Sequence, residues 1–123
     1  MLDFKNMEVW KKSRELAKEI YLITKTFPKE ETFGITLQMR RSVVSVISNI
    51  SEGIGRSQIK ETIQFLNFAK GSLFELDAQL TISFDLNYID ISTYERISNL
   101  ILECNKLVQG FSKYCKNKIN VTK

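Results

Sequence analysis

Two adjacent arginines and one glutamate are the residues of this chain whose types and spacing best fit a polar site. Arg40 and Arg41 lie in one helical pattern, and Glu75 lies in the middle of the next. If the two helices run antiparallel from a turn near position 55, position 41 lies opposite roughly position 71. A buried carboxylate needs a cation or several donors. We predict that Arg40 or Arg41 pairs with Glu75, inside the protein or at a seam between subunits.

The residues around Glu75 extend this predicted site into a polar cluster. Its members keep three- and four-residue spacing on one helix and face one position of the preceding helix, which predicts that they share a surface. The predicted structural polar cluster consists of Gln38, Ser72, Glu75 and Gln79. The alternative is that Glu75 faces water beside Asp77.

The segment 53–57, GIGRS, has two interpretations. Glycines free backbone amides, and Arg56 and Ser57 would lie at a helix start, which is an arrangement that binds phosphate. However, the segment lacks the lysine of a phosphate-binding loop and the third glycine of a dinucleotide fingerprint. A tight turn between two helices explains both glycines, and we predict that Ser57 caps the following helix.

The composition argues against catalysis and against a metal site. The chain has no histidine, which removes the commonest general base and metal ligand. Helix-borne glutamates that bind metals normally occur with an i,i+3 histidine, so Glu52, Glu61 and Glu75 do not predict such a site. We predict a non-enzymatic protein with no cofactor, no metal and no small-molecule substrate. The spacing of Cys104 and Cys115, about 16 Å along a helix, predicts two free, packed thiols in a reducing compartment.

The chain is basic, with a net charge of +4 in 123 residues. From Lys106 to the end there are five lysines and no acidic residue, and Arg40, Arg41 and Arg56 share their helical region with Glu52 alone. A bias of this size permits a polyanionic partner. Taken alone, a bias of this size more often marks a solvated basic face, so charge alone does not assign a ligand.

Apolar residues at three- and four-residue spacing predict four helices. The first runs from about residue 6 to 26 and ends before Pro28, the second follows Gly34 and ends near Gly53–Gly55, and the third runs from Gln58 to about Leu86 as a rod of roughly 45 Å. The β-branched run SVVSVIS would suit a strand by propensity, but its 3.6-residue period favours a packed helix. The predicted apolar stripe of this second helix is Met39, Val43, Ile47, Ile50 and Ile54. The glycine at position 71, in the middle of the third helix, predicts close approach of another helix.

The fourth helix is predicted to begin at a capping box formed by Ser92 and Glu95 and to run to about Lys116. Residues 1–118 would then form one domain and residues 119–123 a flexible basic tail. The fold class is all-α, an antiparallel up-down-up-down four-helix bundle. No segment resembles a secretion signal or a membrane span, so a cytoplasmic location without membrane contact is predicted.

Several short motifs resemble a known family. In order along residues 4 to 88 they are Val9-Trp10, Tyr21-Leu22-Ile23-Thr24 with Phe27-Pro28, Glu31-Thr32-Phe33-Gly34-Ile35-Thr36, Gln38-Met39-Arg40-Arg41-Ser42, Ser48-Asn49-Ile50-Ser51-Glu52-Gly53 with Gly55-Arg56, and Ala69-Lys70-Gly71-Ser72-Leu73 with Glu75-Leu76. The chain thereby resembles the four-helix bundle proteins encoded in intervening sequences of bacterial large-subunit ribosomal RNA genes. A similar bundle occurs in the accessory variability protein of diversity-generating retroelements.

The resemblance implies a homo-oligomer, with a homopentamer favoured, whose basic surface binds ribosomal RNA or DNA; it implies no catalysis. The predicted nucleic-acid-binding residues are Arg40, Arg41, Arg56 and Lys60, with Lys113, Lys116 and Lys118 as auxiliary contacts. The alternative is a homo-oligomeric protein-interaction scaffold without a nucleic-acid ligand. Arginines open to solvent along a groove favour nucleic acid, whereas arginines bonded to Glu52 or Glu75 favour the scaffold.

Overall fold

The apolar spacing produces four α-helices in the computed structural model of the chain, which describes the backbone of residues 4–122 and the side chains of residues 4–119. The helices are α1 (Glu8–Thr24), α2 (Ile35–Ile54), α3 (Ile59–Asp85) and α4 (Ile91–Thr122). Short 3₁₀ turns lie at Phe4–Asn6 and Lys29–Glu31. No strand occurs in residues 4–122. The all-α prediction is confirmed, and the β-branched run of the second helix is helical throughout.

In the contacts between neighbouring helices, the residue numbers rise along one helix as they fall along the other. Between α1 and α4, Lys12 lies 3.2 Å from Glu103, and Glu19 lies 2.6 Å from Arg96. Between α1 and α2, the Trp10 indole donates to Ser51, whereas the Arg40 guanidinium donates to Thr24. Antiparallel neighbours give this pattern. Each helix contacts the next one along the chain, and α4 contacts α1, which closes the ring expected for a four-helix bundle.

The core lies between the four helices and follows the predicted stripes closely. Fully buried apolar side chains come from every helix and include Leu16, Ile20, Met39, Val43, Val46, Ile50, Leu66, Leu73, Leu76, Leu80, Ile97 and Val108. One member of the predicted stripe on α2 is wrong. Val46 is buried, while Ile47 is only partly buried because it faces Trp10 at the edge of the bundle.

The α2–α3 connection is closed by a backbone contact at Gly53. A Cβ atom on Gly53 would lie 3.1 Å from Phe65 Cβ and 3.2 Å from the Thr62 carbonyl oxygen. The Thr62 hydroxyl donates to the Gly53 carbonyl at 2.7 Å. The interpretation of residues 53–57 as a tight turn therefore explains Gly53, because α2 and α3 approach each other too closely there for a larger residue. The predicted cap by Ser57 is wrong, because Gln58 is the N-cap residue and makes no side-chain cap bond.

The glycine at position 71 does not fulfil its predicted role within one chain. A Cβ atom there would meet nothing within 4 Å, because Gly71 faces solvent on the outer side of α3. The expected approach of another helix is wrong for the single chain. The same open surface is available to a second chain.

The start of α4 is capped by Asp90 rather than by the predicted capping box. Asp90 Oδ1 accepts a 2.8 Å hydrogen bond from the backbone N–H of Thr93, which places the cap two residues before Ser92. The preceding turn is closed by Asn87, whose φ of 63° is a conformation that asparagine tolerates. The helix continues to Thr122 instead of ending near Lys116, so the predicted boundary at 119 falls within its backbone.

This cap predicts a pH-dependent contribution to stability. The Thr93 backbone N–H holds the pKa of Asp90 below its ordinary value. The contribution is therefore present above the unfolded-state pKa of about 3.9 and is lost as the pH falls through the lower, folded-state pKa. We expect Asp90→Ala to lower the melting temperature by a few degrees at neutral pH, while Asp90→Asn, which keeps an acceptor, lowers it less. Thermal unfolding followed by circular dichroism measures both variants. If Ser92→Ala lowered the melting temperature more than Asp90→Ala, the capping box of Ser92 and Glu95 would be the true cap.

The two cysteines are free and buried, as predicted. Burial raises the pKa of the Cys104 thiol to about 12, and burial also raises the pKa of Cys115. Both thiols are therefore protonated at neutral pH and pack as small apolar groups.

Among the residues that the structure describes, no helix has the length and apolarity to cross a membrane.

Candidate nucleic-acid interface

The two adjacent arginines line one groove on the surface of α2. This Arg40–Arg41 groove has a volume of about 600 Å³ and is lined by Tyr21, Leu37, Arg40, Arg41, Val44 and Ser45. It forms where α1 packs against α2, since Tyr21 comes from α1. Arg41 is exposed and makes no ion pair with a carboxylate among the described side chains.

Arg40 is oriented by two contacts with α1. Its Nε donates to the Thr24 hydroxyl at 2.9 Å, and its guanidinium carbon lies 4.7 Å from the centre of the Tyr21 ring. Neither partner carries a negative charge, so Arg40 is positioned while its charge stays uncompensated by a carboxylate. No pattern in the sequence predicts this arrangement, because Tyr21 and Thr24 meet Arg40 only through packing of two helices.

The predicted polar cluster lines a second, neighbouring cleft. Gln38, Ser72, Glu75 and Gln79 surround about 330 Å³ together with Arg41, which also lines the Arg40–Arg41 groove. Arg41 therefore joins the two depressions. The carboxamide oxygen of Gln79 is buried and has no hydrogen-bond partner in the described part of the chain.

Contacts across this polar cleft fix the register of α2 against α3. The Ser72 hydroxyl donates to Ser45 at 2.9 Å, and the Ser42 hydroxyl lies 3.5 Å from Glu75. The helices are therefore offset by about one turn from the register predicted by counting from position 55.

The predicted pairing of Arg40 or Arg41 with Glu75 is wrong within one chain. Glu75 is exposed, its polar contact is the Ser42 hydroxyl, and no arginine forms an ion pair with it in the described residues. Solvation of the carboxylate removes the need for a buried cation that motivated the prediction. Pairing across a subunit seam stays a prediction.

Arg56 has a different environment. It forms a 2.9 Å ion pair with Glu52 one turn earlier, and its guanidinium carbon lies 4.7 Å from the centre of the Phe65 ring. An exposed pair of this kind contributes little to stability. Arg56 thus meets the criterion for a structural arginine, whereas Arg40 and Arg41 do not.

The predicted lysines collect at the same end of the bundle as Arg56. Lys60, Lys113 and Lys116 are exposed, and the Lys118 ammonium lies 5.0 Å from the centre of the Tyr114 ring. Thr81 contacts Tyr94 between the antiparallel helices α3 and α4, so position 116 lies level with roughly position 59. The structure therefore divides the predicted cations into two groups, one around Arg40 and Arg41 and one at the α2–α3 turn and the end of α4.

A cleft near Arg56 was missed from the sequence. This Trp10 cleft has a volume of about 640 Å³ between the 3₁₀ turn at Phe4–Asn6, α1 and the last turns of α2. The Trp10 indole N–H donates to Ser51 at 2.9 Å, and the Phe4 ring packs edge-on against Trp10 at 5.3 Å between ring centres. The Val9-Trp10 pair is one of the motifs by which the chain resembles the family. It did not predict the cleft, because only the packing of α1 on α2 brings Trp10 beside Glu52 and Arg56.

Large apolar side chains remain exposed along α3. Phe68, Phe74, Ile82 and Leu86 each expose half of their surface or more. They flank Gly71, so this face of α3 combines apolar side chains with a position where another backbone can approach closely. Singly exposed apolar residues are ordinary, but a row of them on one helix marks an interaction surface.

Comparisons with known proteins agree with this architecture. A crystal structure of a protein of unknown function from the S23 ribosomal protein family of Bacteroides thetaiotaomicron is similar to this chain, with a TM-score of 0.79 and 31% sequence identity over 85% of this chain and 95% of that one. No match was found among curated proteins. The model of the family described as 23S rRNA-intervening sequence protein matches residues 5–110. The chain therefore belongs to the 23S rRNA-intervening sequence protein family.

Proposed function

We propose that this protein is a non-enzymatic, cytoplasmic homo-oligomer, with a homopentamer favoured, that binds structured nucleic acid, ribosomal RNA or DNA, through its basic surface. The observation that carries the proposal is the Arg40–Arg41 groove, where two adjacent arginines have no carboxylate partner among the described residues. No carboxylate among the described residues neutralises these two charges, so they can attract an external anion.

The chemistry of the groove suits phosphate. A guanidinium offers a planar fork of donors that matches a phosphate group, and Arg40 is already held in place by Thr24 and Tyr21. A positioned side chain loses less conformational freedom when it binds. Arg41 beside it supplies a second, mobile donor.

The distribution of the cations favours an extended ligand over a single anion. Arg41 lies about 20 Å along the helix axis from the end of α2 at Ile54, and Lys60 and the lysines of α4 lie near that end. A polyanion such as a nucleic-acid duplex presents phosphates over this distance, whereas a metabolite does not. The two groups together contact separate phosphates of one strand or of two.

The experiment is fluorescence anisotropy with a labelled ribosomal RNA fragment at several salt concentrations. About four phosphate contacts give a slope near −3.6 in log affinity against log salt, so binding weakens roughly 100-fold between about 50 and 200 mM salt. We expect Arg41→Gln to weaken binding severalfold and to reduce the slope by about 0.9. Lys106→Gln, which removes the same charge from an exposed position of α4, is the control and leaves both values unchanged.

A flat salt response, or no binding at low salt, contradicts the proposal. Equal effects of Arg41→Gln and Lys106→Gln would assign binding to net charge and not to the groove. Nucleic-acid binding and assembly are measured separately, because light scattering reports the mass of the protein without RNA.

The scaffold alternative is favoured by a different observation, the exposed apolar row on α3. That row fits an interface between copies whether or not nucleic acid binds. In this alternative the protein assembles but shows no salt-dependent RNA binding, and Arg41→Gln weakens assembly where its guanidinium pairs with Glu75 of a neighbouring copy.

A further inference from the structure

We infer that the Trp10 cleft receives an unpaired base of the bound nucleic acid, which stacks on the Trp10 ring; this inference rests on the proposed nucleic-acid binding. The cleft is distinct from the Arg40–Arg41 groove and lies near the other end of α2. Its volume of about 640 Å³ falls in the range of clefts that hold small organic groups, about 300 to 1,000 Å³.

The aromatic wall of the cleft is positioned in advance. The indole N–H of Trp10 is held by Ser51, whose own hydroxyl donates to the Ile47 carbonyl at 2.9 Å. Phe4 supports Trp10 edge-on, with the two ring planes at 61°. A ring fixed by a hydrogen bond and by a neighbouring ring stacks on a flat ligand without losing further side-chain freedom. Nucleobases are flat, and every base has a face that stacks on an aromatic ring.

The polar groups of the cleft suit the edge of a base. Ser48 and Glu52 are exposed, lie one turn apart on α2 and line the cleft beside the aromatic wall. The negative charge of Glu52 is balanced by its 2.9 Å ion pair with Arg56, so the cleft does not repel a polyanion. A hydroxyl and a carboxylate at this place accept or donate hydrogen bonds at the edge of an unpaired base.

The positive charges around the cleft favour a base that belongs to a nucleic-acid strand over a free metabolite. Lys5 lines the cleft, and Lys60 lies in the first turn of the following helix, while Arg56 is taken up by its ion pair with Glu52. Lys116, on α4, lies at the same level of the bundle. Phosphates on either side of an extruded base can therefore contact cations while the base enters the cleft. Proteins that recognise single-stranded RNA combine stacking rings and cations in this way.

The chain contains one tryptophan, so tryptophan emission, excited at a wavelength that the four tyrosines do not absorb, reports on this cleft. The experiment titrates the full chain with a short, unstructured, fluorescein-labelled RNA and records label anisotropy and, with unlabelled RNA, Trp10 emission. The expected result is a rise in anisotropy together with a loss of Trp10 emission. A duplex of the same sequence, whose bases are paired, is expected to raise anisotropy with little change in emission.

Phe4→Ala tests the stacking wall without opening the core, since Phe4 lies at the rim of the bundle. We expect it to weaken binding of the single-stranded RNA by roughly tenfold, because it removes the ring that holds Trp10 in its stacking position. Phe33→Ala is the matched control, because Phe33 is 88% exposed and lies near the opposite end of the bundle. Equal effects of the two variants overturn the inference.

The outcomes separate this inference from the proposed function. Binding of single-stranded RNA that leaves Trp10 emission unchanged overturns the base-stacking inference and leaves the proposed function standing. No rise in anisotropy with any RNA at low salt overturns the proposed function, and the inference fails with it.

Discussion

In the proposed homo-oligomer, Gly71→Arg is expected to separate the assembly into single chains while each chain keeps its helical fold. A Cβ atom at position 71 meets nothing within 4 Å in the single chain, and the position is exposed, so an arginine there can extend into solvent. Arginine is also a better helix former than glycine by roughly 0.5–1 kcal/mol. In an assembly that packs another chain against this face of α3, the same side chain occupies the space of the neighbour.

The measurement is light scattering, which we expect to give about five times 14.3 kDa for the unchanged protein and one times that mass for Gly71→Arg. Gly110→Arg is the matched control, because Gly110 is also an exposed helical glycine with nothing within 4 Å. Circular dichroism checks that both variants remain helical. An unchanged mass for Gly71→Arg, or dissociation of both variants, would show that this face is not the interface.

Leu76→Ala is expected to lower the free energy of unfolding by about 2–5 kcal/mol. Leu76 has no exposed surface, and its removal leaves a cavity where α3 meets the other helices. This loss is a large fraction of the roughly 5–15 kcal/mol that stabilises a folded domain. Urea unfolding followed by circular dichroism measures the change.

Phe74→Ala is the control for this prediction. Phe74 lies on the same helix two positions earlier and is 58% exposed, so its truncation removes more atoms but leaves no buried cavity. We expect a loss of less than about 1 kcal/mol. A cost for Phe74→Ala as large as that for Leu76→Ala would mean that Phe74 is covered in solution, as at an interface between chains.

The helices and most of the core were predictable from the sequence, because burial of apolar surface dominates folding. The apolar residues that are buried recur at helical spacing, and this spacing is visible in the sequence. The spacing places Leu66, Leu73 and Leu80 on one face of α3, and all three are buried. Where two neighbouring residues were equally apolar, the pattern failed. Val46 and Ile47 both fit the stripe of α2, and only the direction of its partners decides which one enters the core.

The helix ends were less predictable, because several local motifs compete for the same backbone amides. Ser92 with Glu95 and Asp90 alone are both acceptable starts for α4. The turn after Asn87 selects Asp90, since it brings that carboxylate to the Thr93 N–H. A similar competition places the start of α3 at Gln58 and leaves Ser57 without a capping role.

By itself the sequence determined that this chain folds as four amphipathic helices, that it has no histidine for catalysis, and that its cations are arginine-rich on the second helix. Only the tertiary structure decided what those cations face. Arg40 meets Thr24 and Tyr21, Arg41 stays apart from Glu75, and Trp10 reaches the end of α2. The physical reason is range: helical periodicity is set by residues three and four apart, whereas each of these contacts depends on how separate helices are offset and rotated against one another.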